Sequence, residues 1–257
     1  MKQPTQPVDV SGAKQNANHD AEHEAGLDAA SVTGAAPVIT IDGPSGTGKG
    51  TIAGLLAAHL GWHLLDSGAL YRTLALAARR RDVDLDAGPE LGRLAAQVRV
   101  QLEGERVRLD GEDVSAAIRT AEAGVDASRV AVHPDVRAAL LGWQRDAAVA
   151  PGLVADGRDM GSRVFPDALL KIYLDASPEE RAQRRYKQLK DKGMDANLRD
   201  LVQELRVRDQ RDRERSESPL QVPIAGIVVD STSKSIDEVF LQVRDLAEAA
   251  LDSAAGL

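Results

Sequence analysis

The 257-residue chain contains no cysteine. That excludes a disulfide framework and thiolate metal sites, and it fits a reducing cytosol. Aromatic residues make up only 3%, so the core must be aliphatic, and a hydrophobic content of 43% is enough to build one. No apolar run approaches the roughly 20 residues needed to span a bilayer. The opening residues lack a basic start followed by an apolar segment, so no secretory signal is expected. A cytoplasmic location without a membrane partner follows as the expectation. Positive charge is also in short supply. The net charge of −8 argues against a general polyanion binder, and so against nucleic acid as a partner.

Against that background the arginines are unevenly placed, crowding into residues 181–215. A basic cluster in an acidic protein suggests a dedicated anion site; the plainer reading is a solvated helix laced with ion pairs. Residues 1–35 are polar, lack sustained periodicity and read as a disordered extension. His19, Glu22, His23 and Glu24 read there as solvated tail residues, not as metal ligands. Residues 36–257 read as one domain. From Pro37 onward strands and helices alternate, the pattern of an α/β fold with a parallel sheet. The expected core strands are 38–42, 63–66, 152–156, 170–174 and 227–230. The expected helices are 49–60, 69–80, 134–148, 178–192, 198–215 and 236–251. Residues 94–114 read as short strands with turns at Glu103-Gly104 and Asp110-Gly111, inserted between a core helix and a core strand. This element and the charged helical pair 178–215 are expected at the carboxyl ends of the strands, where ligands bind in open α/β sheets.

The segment 38–51, VITIDGPSGTGKGT, carries the most chemistry. An apolar run meets a glycine-rich loop, then Lys49, then a helical pattern: strand, phosphate-cradling loop and helix in P-loop order. Gly43, Gly46 and Gly48 let the backbone turn its N–H groups inward, where the positive end of the following helix also points. Lys49 adds a point charge that reaches outer phosphates. Gly50 departs from the common form by filling the usual Ser/Thr position, with Thr51 after it. A plain tight turn is the competing reading, and it does not explain the full spacing with the lysine.

Asp156 closes the apolar run Leu153-Val154-Ala155. A strand-terminal carboxylate beside a P-loop suits Mg²⁺ held through water, with Thr51 as its companion; alone, it would read as a turn or cap. Gly157 permits a sharp turn after it, so that Arg158 and Asp159 project into the same crevice. In the helix 198–215, an apolar stripe of Leu198, Leu201, Val202 and Leu205 continues as Arg208, Asp212 and Arg215. The face that should be core turns ionic in its last two turns and either is solvated or lines a polar cavity. Arg211 and Arg213 fall on other faces. Arg181, Arg184 and Arg185 share a face of the preceding helix, where they can neutralise charge during phosphoryl transfer. Transfer to an alcohol needs a base, whereas a phosphate monoester, with a second pKa of about 6, is already largely dianionic at pH 7. An arginine-rich site without an evident catalytic histidine fits the second case. His59, His63 and His133 read as packing or surface residues.

The motifs VITIDGPSGTGKGT, LLDSGALYR (64–72), LDGEDVSAAIRT (109–120), ADGRDMG (155–161), FPDALLKIYLDAS (165–177) and RVRDQRDRERS (206–216) closely resemble those of the bacterial cytidylate kinases, over about residues 36–245. Gly50 is normal in that family. The resemblance implies a five-stranded parallel-sheet P-loop kinase core with helices on both faces. A small α+β monophosphate-binding insert (about 83–150) and a helical lid (about 178–216) would be added to it. It further implies ATP with Mg²⁺ as donor, CMP or dCMP as acceptor, and a monomer. Carried over residue by residue, Gly43, Pro44, Ser45, Gly46, Thr47, Gly48, Lys49, Gly50 and Thr51 would hold the ATP phosphates. Ser128, Arg137 and Asp159 would read the cytosine, and Arg208 and Asp212 would hold the sugar. Arg72, Arg158 and Arg215 would grip the acceptor phosphate, with Ser67 nearby, and Arg181, Arg184 and Arg185 would belong to the lid. A P-loop kinase with another acceptor (UMP, AMP or shikimate) is the alternative enzyme. A nucleotide-binding switch would need a guanine-reading N-K-x-D motif, which the sequence lacks.

Overall fold

The computed structural model describes residues 36–104, 106–191 and 193–256. The expected extension at residues 1–35, with His19, Glu22, His23 and Glu24, lies outside them. In chain order the elements are β1 (Val38–Asp42), α1 (Lys49–Leu60), β2 (His63–Asp66), α2 (Ser67–Arg80), α3 (Gly88–Gln97), β3 (Val100–Glu103), β4 (Arg106–Leu109) and β5 (Glu112–Asp113). They continue as α4 (Ala121–Val130), α5 (Pro134–Asp146), β6 (Leu153–Gly157), β7 (Leu170–Asp175), α6 (Pro178–Asp191), α7 (Leu198–Glu214), β8 (Ile227–Asp230) and α8 (Ile236–Ala255).

Five strands form one parallel sheet in the order β2-β6-β1-β7-β8, as the alternating pattern predicts. β1 is buried along its whole length, because helices cover both faces of the sheet. Side chains alternate between those faces. Ile39, Ile41 and Val154 pack with Ile52 and Leu56 of α1 and Val239 and Val243 of α8. Val38, Leu65, Leu153 and Ala155 pack with Leu70 and Leu74 of α2 and Leu91 of α3. The register sets Asp42 beside Gly157 and Asp66 beside Asp156, so the carboxyl ends of three strands open at one level. The chain leaves β1 for β2 on one side and returns for β7 on the other, and the crevice forms at that switch point.

Between α2 and β6, the antiparallel strands β3, β4 and β5 confirm the expected short β element. Its start needs correction. Residues 94–97 belong to α3, whose Gly88 and Gly92 weaken the helical pattern in sequence. Gly92 is required by packing, since a Cβ there would stand 2.8 Å from Asp135 Cβ on α5. The short helix α4 was likewise not expected; Thr120 caps it by accepting the Ala123 N–H at 3.1 Å. α2 begins two residues before the expected Ala69, because Asp66 Oδ1 accepts the Ala69 N–H at 2.9 Å and caps the helix ahead of Gly68. In α7 the stripe inverts the burial expected of its apolar half: Leu198 is exposed, while Asp212 and Arg215 are buried. Among the described residues no helix is long and apolar enough to cross a membrane.

Candidate active site

The loop between β1 and α1 lies at the centre of the sheet's carboxyl edge. Gly43 sits where a Cβ would fall 2.0 Å from the Leu174 carbonyl, so only glycine permits this approach to β7. Gly48 caps α1 in the left-handed region (φ 91°) and supplies no side-chain cap, which leaves the first N–H groups of α1 open to an anion. Lys49 is buried with its Nζ donating to the Pro44 carbonyl at 3.0 Å. Burial, then the Arg158 guanidinium, push its ammonium below the ordinary lysine range. Thr47 Oγ1 donates to the same carbonyl at 3.2 Å, and Gly43, Pro44 and Thr47 are buried beneath the loop.

Two arginines of α6 clasp this loop from the far side. Arg181 is 1% exposed and donates to the Ser45 carbonyl at 3.0 Å, while Asp209 of α7 accepts from its guanidinium at 3.1 and 2.5 Å. Arg184 donates to the Thr47 carbonyl at 3.1 Å and to the Ser231 carbonyl at 2.5 Å. Arg185 lines a wider cleft of about 840 Å³ with Gly46, Thr51, Arg181 and Arg184; Arg211 reaches it, and Arg213 is exposed.

A narrower cleft of about 270 Å³ lies beside Lys49 and Gly50, between the sheet edge and helices α2, α4, α5 and α7. Every residue expected to hold the acceptor lines it. Ser67 and Arg72 come from α2, Ser128 from α4, Arg137 from α5, Arg158 and Asp159 from the end of β6, and Arg208, Asp212 and Arg215 from α7 and its end. Asp212 accepts from Ser128 Oγ at 3.4 Å and Arg158 Nε at 3.1 Å. Burial raises the Asp212 carboxyl, but Arg158, Arg215 and Arg208 together outweigh burial and hold it below the usual range. Arg137 pairs with Asp159 and stands over the Tyr71 ring. Arg72 donates to Asp66 at 2.8 Å, and Arg208 to Ser45 Oγ at 3.1 Å, which ties acceptor side to donor loop.

Four residues that line this cleft carry a buried polar atom without a partner. Arg72 Nε, Arg208 Nε, Arg215 Nε and Asp156 Oδ1 are buried and unbonded. Buried polar groups nearly always find partners, so the three guanidinium donors, from α2 and from α7 and its end, suit a cleft that takes an anion. Burial pushes the Asp156 carboxyl up to about 6 against the pull of Lys49. A Cβ on Gly50 would stand 3.2 Å from Asp156 Oδ2, so glycine leaves room for that carboxylate. Thr51, by contrast, is exposed and opens to the wider cleft, not to the one that holds Asp156.

Of the histidines, His59 meets Glu248, His63 the Ala150 carbonyl and His133 the Leu85 carbonyl, all outside both clefts. The sequence reading passed over Asp66, Tyr71 and Asp209. Asp66 carried a signal, since an aspartate ahead of a helix is a capping residue. Asp209 lies off the stripe through Arg208 and Asp212, and its partner is on another helix.

A family model described as cytidylate kinase matches residues 39–249. The cytidylate kinase of Aeromonas salmonicida is 59% identical over 223 residues, covering 85% of this chain and 97% of that protein. Those of Pseudomonas savastanoi pv. phaseolicola and Photobacterium profundum are 56% and 55% identical, over 86% and 84% of this chain and 98% and 97% of theirs.

The Arg181–Asp209 pair generates a stability prediction. Asp209→Ala leaves a buried guanidinium without its carboxylate, which costs about 3 kcal/mol or more. Chemical denaturation should show the unfolding midpoint falling accordingly; a midpoint at the wild-type value contradicts the assignment.

Proposed function

The chain belongs to the cytidylate kinase family and is a kinase, and we propose that it transfers the γ-phosphoryl group of ATP to CMP or dCMP in the two clefts that meet at Lys49. The observation that carries the assignment of residues is the charge of the acceptor cleft. Six cationic side chains and four carboxylates line it, an excess of two formal positive charges in a chain of net charge −8. That excess matches a phosphate monoester dianion. Arg72, Arg158 and Arg215 grip this phosphate, with Ser67 at the start of α2 beside them. Arg208 and Asp212 hold the sugar.

On the donor side, the N–H groups of residues 43–51 and Lys49 hold the ATP phosphates. The polyphosphate also restores the Lys49 charge that burial and Arg158 oppose. Arg181, Arg184 and Arg185 offset charge on the group in flight, and Arg181 and Arg184 tie the lid formed by α6 and α7 to the loop. Chemistry is in-line displacement: the acceptor oxygen bonds to γ-phosphorus as the bond to the β–γ bridging oxygen breaks, giving CDP and ADP. The acceptor arrives as a dianion, so no general base is required. The unbonded Asp156 carboxylate fits Mg²⁺ held through water, with Thr51 as a second candidate, and the described residues contain no cluster of three ligands to cage an ion. When bound with ATP, the metal would neutralise phosphate charge. Monomeric action in the cytoplasm is part of the same proposal.

Base selection follows from donors and acceptors. Cytosine presents an amine, which Asp159 accepts, and two acceptors, which suit Arg137 and Ser128. Uracil would set a carbonyl against Asp159, and unpaired buried groups discriminate strongly. Asp159→Asn should therefore narrow the CMP-over-UMP ratio of kcat/KM by about tenfold; an unchanged ratio defeats the assignment. Lys49→Ala should lower kcat by about 100-fold or more while the protein keeps its fold. Turnover at the wild-type rate in a coupled ADP-release assay contradicts its role.

A further inference from the structure

Asp42, the last residue of β1, has no part in the account above, yet it is a carboxylate only 1% exposed. Each of its two oxygens accepts a backbone hydrogen bond. Oδ1 accepts the Met160 N–H and Oδ2 the Gly161 N–H, each at 2.8 Å. These amides belong to the two residues that follow Arg158 and Asp159, at the start of a π-helical turn, Met160–Val164. The same turn returns two hydrogen bonds to the Asp159 carbonyl, from Arg163 N at 2.9 Å and Val164 N at 3.2 Å. The Asp159 backbone is thus fixed just beyond its own carbonyl and at that carbonyl.

Packing closes the other directions. A Cβ on Gly161 would fall 2.7 Å from Thr40 Oγ1, so the turn rests directly on buried Thr40, the same-face neighbour of Asp42 on β1. A Cβ on Gly157 would fall 2.6 Å from Met160 Cγ, so the start of the turn is equally tight. A buried carboxylate is costly unless hydrogen bonds compensate it. Burial pushes this one up to about 7, against the lowering effect of the two amides and with Asp159 and Asp156 adding to the rise.

We propose that Asp42 is a positioning residue for base recognition: by holding the Met160 and Gly161 amides it sets where Arg158 and Asp159 stand in the acceptor cleft. It touches no substrate, and the inference rests on Asp159 reading the cytosine. The donor loop begins at the next residue, so one strand end aligns the phosphate loop with Arg158, which grips the acceptor phosphate, and Asp159, which reads the base.

Asp42→Asn tests this, because an amide accepts from one N–H and turns its own N–H₂ toward the other. The KM for CMP should rise about tenfold and the CMP-over-UMP ratio of kcat/KM should narrow, with the KM for ATP unchanged. Val243→Ala, in the core between α1 and α8, is the comparator: it lowers Tm and leaves both KM values and the ratio alone. If Asp42→Asn does not fold, Gly161→Ala carries the test, since its methyl group meets Thr40 Oγ1 and displaces the turn from the carboxylate; the same shifts are expected. A folded variant of either kind with wild-type KM for CMP and an unchanged ratio overturns the proposal. So does a fall in kcat shared equally by CMP and UMP. Narrowing in Asp159→Asn without narrowing in Asp42→Asn overturns the positioning role alone, whereas no narrowing in Asp159→Asn overturns the base assignment beneath it.

Discussion

The excess of positive charge gathered at the carboxyl edge of the sheet is the constraint on which the rest of the structure depends. Lys49, Arg72, Arg158, Arg208 and Arg215 converge there from three different helices and two loops. Like charges in a buried cleft repel, and the consequences are visible: Arg208 is pushed down to about 10 by burial and Arg158, and Lys49 is lowered for the same reasons. Such a cluster persists only where rigid elements over-determine it. Here the parallel sheet, with β1 buried along its length, provides that rigidity, and Asp66 and Asp212 pair with Arg72 and Arg158. Polyanionic substrates complete the balance, so binding and catalysis draw on the same stored repulsion.

The carboxylates do more than neutralise. Asp66 caps α2 and holds Arg72; Asp212 joins α4 to the turn after β6; Asp209 locks α6 to α7 through Arg181. Ser45 is the meeting point, since its carbonyl receives Arg181 and its hydroxyl receives Arg208. Movement of the helical pair α6–α7 is therefore felt by the phosphate loop without any intermediary.

Much of this was legible in the sequence where local pattern and local structure coincide. The strand–loop–helix signature of residues 38–60 and the bounds of β1, β2 and β8 follow from apolar runs stopped by glycine or aspartate. The spacing of Arg208, Asp212 and Arg215 marked one helix face as ionic, either solvated or lining a polar cavity, and all three line the narrower cleft. What escaped depends on partners distant in sequence. Gly92 hides α3 from propensity yet is demanded by Asp135 on α5, and Asp209 acquires meaning only when α6 delivers Arg181. The apolar half of the α7 stripe was misleading for a related reason. Leu201 and Leu205 line the wider cleft beside α4 and Leu198 is exposed, whereas Asp212 and Arg215 are buried.

The central claim is that the acceptor cleft is built around the phosphate, with the base read afterwards. Thermal melting of the protein with CMP and with cytidine, at matched concentrations and low salt, tests it most directly. The account predicts that CMP raises Tm while cytidine leaves it unchanged, because cytidine lacks the phosphate that Arg72, Arg158 and Arg215 would grip. An equal rise with cytidine would contradict it.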